Sequence, residues 1–318
     1  MSEQTEVRSA KMPVRSDSFR LSCALESIEE QAARHGVLVA YDIHTPSGER
    51  LSHLEETAFS AGNLGKVSLA ALCVRDRIDP NQRVRLSSSD MRPGPGFLDE
   101  LSMKRKKLRY DQMKNRVPVF RLFEDMLLRS GNTAYNVLTR VYADRHASDA
   151  ARAAIINGEY EREGWKQTTV DGVADAVEIG TTSPADIIEQ FRLLNSAADG
   201  VEEGSLAEVA WNSLGHSMDN GMGVRSFDLA PGTDVVNISG AHGVETGLQR
   251  HESGFVILPR TEGGEDSALQ YAFMINIEGR GRLASAKANY FYDRMAGEIA
   301  RQAGARVPRY LGLRALVD

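Results

Sequence analysis

The chain has 318 residues, 42% of them hydrophobic, enough to bury a sizeable core in one large domain or two smaller ones. Its 38 Lys and Arg stand against 44 Asp and Glu, a net charge of -6, which disfavours a general nucleic-acid binder because such binding rests on neutralising phosphates. Cys23 and Cys73 are too few for a disulfide framework and lack zinc spacing, and no run of about 18 apolar residues is present to span a membrane.

Residues 1–20 are polar and lack the apolar centre of a secretory signal. They are expected to be a flexible segment, and the location to be cytoplasmic. Leu21 to Arg34 has apolar residues at helical spacing and ends at His35-Gly36. Val37 to Ile43 reads as a strand, Thr45-Pro46-Ser47-Gly48 as a turn, and Glu49 to Leu54 as the returning strand. Leu64 to Val74 reads as a buried helix. Val117 to Leu128 is an amphipathic helix, and Thr133 to Arg140 follows the break Ser130-Gly131-Asn132. Pro184 to Leu194 has proline in its first turn, where the missing N–H costs least. Ser205 to Met218 is a further helix. After Pro231-Gly232 the period shortens. Val235 to Ser239, Gly254 to Pro259 and Gln270 to Glu278 read as strands, and Leu283 to Gln302 as a closing helix.

This order predicts an α+β fold in which both chain ends build one antiparallel sheet around an inserted helical block. A single domain is expected over 21–318. Its α/β part covers about 21–60 and 225–318, and its helical part about 61–224.

Several strings resemble the class A β-lactamase family of penicillin-recognising serine hydrolases. Phe59 to Lys66 (FSAGNLGK) is similar to the family's nucleophile segment, Phe-x-Ala-x-Ser-x-x-Lys. Pro93 to Leu98 (PGPGFL) resembles the Gly-rich turn that follows it, and Ser130 to Asn136 (SGNTAYN) the Ser-Asp-Asn-Thr-Ala segment. Thr181 to Leu194 resembles the helix after the omega loop, and Gly232 to Gly240 (GTDVVNISG) the strand ending Lys-Thr-Gly or Lys-Ser-Gly. Any one string is weak. Five in order imply the serine β-lactamase-like fold over nearly the whole chain.

The resemblance implies chemistry that the residues only partly supply. In the family a Ser at the start of a buried helix attacks an amide carbonyl, and a Lys one turn later helps take its proton. Three residues before Lys66 stands Asn63, whose amide cannot be acylated as a hydroxyl is. Gly131 stands where the family has Asp, removing a carboxylate that braces the loop. Ile238, or with a one-residue gap Ala241, stands where the family has the Lys that attracts a substrate carboxylate. Glu159, Glu161 and Glu163 lie near the omega loop, but none fits its Glu-x-x-x-Asn pattern.

The candidate site residues are therefore Lys66, Ser130 and Asn63 as the reactive group, and Asn132, Ser239, Gly240 and His242 for ligand binding. A Lys66 partly desolvated and without a carboxylate would have its pKa pushed down, fitting an acid or base near neutral pH. Equally, Lys66 and Asn63 would simply bond each other in a disused cleft. His242 and His251 flank an expected hairpin and either could line the cleft, although a surface or capping role is more usual. Tyr135 either narrows the site or only packs, and Cys73 reads as core. Gly62 to Ser68 is not a phosphate loop, since Ser60 and Val67 occupy two required positions.

Lys104 to Arg116 is a basic cluster in an acidic chain. It reads as a solvated loop or as an attractor for an anionic ligand at the cleft rim. No cofactor or metal is expected. The expected partner is an anionic small molecule, neither nucleic acid nor membrane. Three functions are consistent with the residues. One is a diverged enzyme acting without an acyl-enzyme on an anionic, amide-bearing or antibiotic-like molecule, as in antibiotic biosynthesis. Another is a non-catalytic binding pseudoenzyme. The third is a residual serine hydrolase using Ser130, or Ser60.

Overall fold

The structure is a computed structural model that describes residues 17–87, 90–98, 116–143, 147–171, 180–198, 203–216, 223–244, 247–259, 267–279 and 281–307. Helix α1 (Asp17–Arg34) leads into strands β1 (Val37–His44) and β2 (Arg50–His53). The short strand β3 (Phe59–Ser60) then delivers the chain into α2 (Leu64–Arg75). Strands β4 (Arg83–Val84) and β5 (Val117–Pro118) pair with each other before α3 (Val119–Leu128), α4 (Asn132–Tyr142) and α5 (Asp149–Arg162). Strand β6 (Thr181–Thr182) pairs with β3, and helices α6 (Pro184–Ala198) and α7 (Leu206–Gly215) complete the helical block. The chain closes with β7 (Asp234–Val244), β8 (Gly247–Ile257), β9 (Ala268–Glu278) and α8 (Arg282–Gln302).

The main sheet has the order β2-β1-β9-β8-β7, and every neighbouring pair is antiparallel. Both chain ends thus enter one sheet, as the order of elements predicts. Alternate residues of each strand serve opposite faces. Val39, Val235 and Phe273 pack with Leu25, Phe291 and Met295 of α1 and α8. Ala40, Val236, Ile238 and Met274 pack with the helical block. Helix α2 is buried from Leu64 to Val74, which explains its apolar residues on every side.

Several boundaries differ from the expectations, α6 for one running on past Leu194 to Ala198. Helix α1 covers Asp17–Arg34, beginning before Leu21, because the one apolar residue of its first turn, Phe19, is exposed and lies outside the buried stripe. The helix expected from Val117 begins at Val119, because Pro118 is held extended at φ -70 and ψ 148. The largest difference is the β7–β8 hairpin. Residues 240–244 and 247–253, expected to connect two short strands, are themselves strand, the pairing running from Asp234↔Ile257 to Val244↔Gly247. Glycines break the apolar alternation there, but they allow close approach. A Cβ on Gly240 would meet His251 Nε2 at 2.4 Å.

Of the basic cluster, Lys104 to Asn115 lies outside the described residues, as does the His242 side chain. Among the described residues, no helix is long and apolar enough to cross a membrane.

Candidate functional site

The site starts where α2 starts. Strand β3 and the Ala61 N–H, bonded to Gly180 O at 2.8 Å, fix the approach to the helix. Asn63 precedes the helix with φ -65 and ψ -22, and its side chain makes no capping bond. Its carboxamide instead faces Lys66, one turn on. Asn63 Oδ1 accepts from Lys66 Nζ at 3.0 Å and from Ser130 Oγ at 2.7 Å. Lys66 Nζ also donates to Ser130 Oγ at 2.6 Å and to Ser130 O at 2.7 Å. Asn63 Nδ2 reaches Ser239 O at 3.5 Å.

Lys66 is only 1% exposed. Three neutral oxygens, Asn63 Oδ1, Ser130 O and Ser130 Oγ, accept from Lys66 Nζ. Ser130 lies between α3 and α4 in a left-handed conformation, φ 57, uncommon for serine. From it both the carbonyl and the hydroxyl reach Lys66.

The loss of a carboxylate at Gly131 is made good from elsewhere, correcting the sequence expectation. Asp125 of α3 accepts from the N–H of Phe97 at 2.5 Å and of Leu98 at 3.3 Å. Its carboxylate fills the space a side chain at 131 would need, since a Cβ on Gly131 would lie 2.6 Å from Asp125 Oδ2.

The remaining predicted residues are spread around this knot. Asn132 Nδ2 donates to Pro93 O at 2.8 Å, tying α4 to the Gly-rich turn. Ser239 gives its carbonyl to Asn63, while its hydroxyl bonds Tyr292 on the α8 side of the sheet. Gly240 lies against the His251 ring. His242 is opposite Gln249 in the hairpin. His251 is 1% exposed in mid-strand, neither a surface nor a capping histidine. Tyr135 only packs. It is 2% exposed and shares one buried region of the helical block with Tyr160 and Cys73. Burial holds all three well above their ordinary pKa values.

Glu159 and Glu163 pair with Arg75 at 2.8 and 2.7 Å. Arg75 is nine residues along α2 from Lys66, roughly 13 Å at the helical rise, so neither carboxylate faces the knot. Among the described residues, no group of three or more His, Cys, Asp or Glu could hold a metal ion.

Three residues escaped the sequence reading. Asp125 is a charge on the buried face of a strongly amphipathic helix, and that misplacement was its signal. Arg250 lies opposite Ala241 with its guanidinium 5.8 Å over the Tyr292 ring, and burial lowers its pKa. Glu252 is fully buried behind Ser239. Its Oε1 accepts from Tyr271 Oη and Asn237 Nδ2, both at 2.7 Å, and from Val224 N at 3.1 Å, and its Oε2 accepts from Tyr292 Oη at 2.6 Å. Burial raises its pKa, and these bonds partly oppose the rise.

The comparisons with known proteins agree with this architecture. A sequence profile described as the beta-lactamase enzyme family matches residues 20–262. A β-lactamase from Desulfarculus baarsii is similar in structure, with TM-score 0.65 and 16% identity over 92% of this chain and all (100%) of that one. The β-lactamase of Streptomyces albus G has TM-score 0.64 and 14% identity over 89% of this chain and 100% of its own. A class A β-lactamase from Mycobacterium abscessus has TM-score 0.63 and 14% identity over the same shares, 89% and 100%. No curated protein sequence matches the chain.

Proposed function

Because the chain belongs to the beta-lactamase enzyme family, we propose that it is a member that binds a small ligand without forming an acyl-enzyme. One observation carries this reading. The carboxamide of Asn63, at the position where the family has its nucleophile, accepts from both Lys66 and Ser130. A carboxamide is no acyl acceptor, and it occupies the groups that would activate one. The ligand is an anionic, amide-bearing small molecule. Lys66 supplies a nitrogen donor beside the strand where Ile238 gives none, and the main chain at Ser239 supplies an acceptor.

A second reading is favoured by the 2.6 Å contact between Lys66 Nζ and Ser130 Oγ. For a ligand that takes the place of Asn63 Oδ1 at Ser130 Oγ, this contact makes a proton path from Lys66 through Ser130, and the ligand is protonated without covalent attachment.

The test is intact-protein mass after incubation with a penicillin, for the natural chain beside Asn63→Ser. The natural chain is expected to gain nothing and the variant to gain the penicillin's mass. A mass gain on the natural chain that Ser130→Ala abolishes would replace this reading with a serine hydrolase using Ser130. A product released from a bound ligand without adduct would favour the proton-transfer reading.

A further inference from the structure

Away from the Asn63 knot, β1 and α6 are joined by a chain of charged and polar side chains centred on His44. Asp42 of β1 is 1% exposed and is held by Arg50 of β2, whose Nε donates to Oδ1 at 2.8 Å and Nη2 to Oδ2 at 2.9 Å. His44 Nε2 lies 3.1 Å from the same Oδ1. On its other side, His44 Nδ1 lies 2.9 Å from Arg192 Nη2 of α6. A guanidinium has only donors, so Nδ1 accepts and carries no proton. The one proton of the neutral ring is therefore on Nε2, beside Asp42. The Arg192 contact exists in this state only. A second proton would go on Nδ1 and face the Arg192 N–H, donor against donor and cation against cation.

Arg192 has two further partners. Its Nη1 donates to Glu189 Oε1 at 2.6 Å and its Nε to Gln270 Oε1 at 3.2 Å, and Gln270 of β9 is the residue opposite His44. The other charged groups about His44 are engaged elsewhere. Arg50 also lies 3.8 Å from Glu55, Lys166 lies 4.0 Å from Glu56, and Glu163 pairs with Arg75. Asp186 Oδ2 accepts from the Gln167 N–H at 2.7 Å and from Thr168 Oγ1 at 2.9 Å. The His44 side chain is 24% exposed, so solvent protons reach it. Asp42, His44 and Arg50 line a cavity of about 230 Å³. A second cavity, of about 620 Å³, reaches Leu193 and Phe255. Arg192, Glu189, Glu163 and Trp165 line both, which places Arg192 in the wall between them.

We propose that His44 is a pH-operated latch on α6. With the ring neutral, it holds Arg192 against β1 and the two cavities stay separate. With a second proton on Nδ1, the ring keeps Asp42 alone. Arg192 is released to Glu189 and Gln270, and the wall between the cavities opens beside Trp165. Imidazole is the side chain whose charge ordinarily changes near neutral pH, and the step needs only a proton from solvent. The latch is separate from the Asn63 knot and does not depend on what that knot binds.

The test follows the His44 ring nitrogens, the Arg192 Nε–H and the Trp165 indole N–H of the full-length 15N-labelled protein by NMR, from about pH 8 to about pH 5. At the upper end the His44 proton is expected on Nε2. As the ring takes its second proton, the Arg192 and Trp165 resonances are expected to shift with the same midpoint. His44→Gln, which cannot titrate, is expected to lose both shifts. The tautomer is read on the natural chain, so it decides even if that variant fails to fold. A proton on Nδ1 at the upper end, a ring that does not titrate in the folded protein, or Arg192 and Trp165 resonances that stay still while it titrates would overturn the proposal. So would shifts that survive in His44→Gln, which would assign them to Asp186, whose pKa burial raises.

Discussion

The Asp125 carboxylate stands where a side chain on Gly131 would begin, 2.6 Å from the ideal Cβ. The two residues are therefore one unit, with the carboxylate on α3 and the space for it at the start of α4. Gly131→Asp should cost about 1–3 kcal/mol by overpacking. Asp125→Ala should cost about as much by leaving the Phe97 and Leu98 N–H groups unpaired. The double variant Gly131→Asp with Asp125→Ala should recover more than half of the summed loss. Urea unfolding of the four proteins checks this, and strictly additive losses would separate the two sites.

Asn63 and Lys66 should be coupled in the same way. Asn63→Ala takes an acceptor from the buried Lys66 Nζ and from Ser130 Oγ, a loss of about 1–3 kcal/mol for leaving buried donors unpaired. Lys66→Met removes the buried polar head and keeps the volume, and should cost much less. In the Lys66→Met background, Asn63→Ala should cost less, keeping only the part due to the lost Ser130 bond. A double-mutant cycle by chemical denaturation reads the coupling, and a value near zero would show that Asn63 does not hold Lys66.

Glu252 sets a pH dependence. Burial raises its folded pKa above the ordinary value near 4.5. The folded carboxyl therefore binds its proton more tightly than the unfolded one. Its contribution is complete below about pH 4.5 and is lost as pH rises through the folded pKa. Stability measured at stepped pH should fall across that window, and Glu252→Gln should flatten the fall. Asp186 and Asp293, also raised by burial, leave a residual slope of the same sign. An unchanged slope in Glu252→Gln would assign the effect to them.

Gly240 is required by His251. Gly240→Ala brings a methyl within 2.4 Å of a ring that is itself 1% exposed. A cost of about 1–3 kcal/mol is expected, and His251→Ala should relieve most of it in the double variant. Thermal unfolding of both variants checks this, and a tolerated Gly240→Ala would show that the ring moves freely.

Much of the fold was legible in the sequence because its signals are local. The apolar run of α2, the strand–turn–strand of β1 and β2, and the change of period after Pro231 each lie within one short window. The extent of β7 and β8 was not legible. Gly240 and Gly247 break the alternation, and they are justified only by what stands opposite them across the sheet. The Asn63–Lys66 pair could be read from helical spacing alone. The partner that joins both of them, Ser130, is 64 residues from Lys66, and its left-handed backbone leaves no local sign.

By itself, then, the sequence determined the order of elements, the antiparallel sheet built from both ends, and the absence of a hydroxyl three residues before Lys66. Only the tertiary structure decided that Asp125 supplies the carboxylate missing at Gly131, that Glu252 stands behind Ser239, and that Arg192 meets His44. Periodicity records which face a residue takes, because that depends on its own backbone. Which residue it meets depends on sheet register and helix docking, and these are fixed by packing across long stretches of chain.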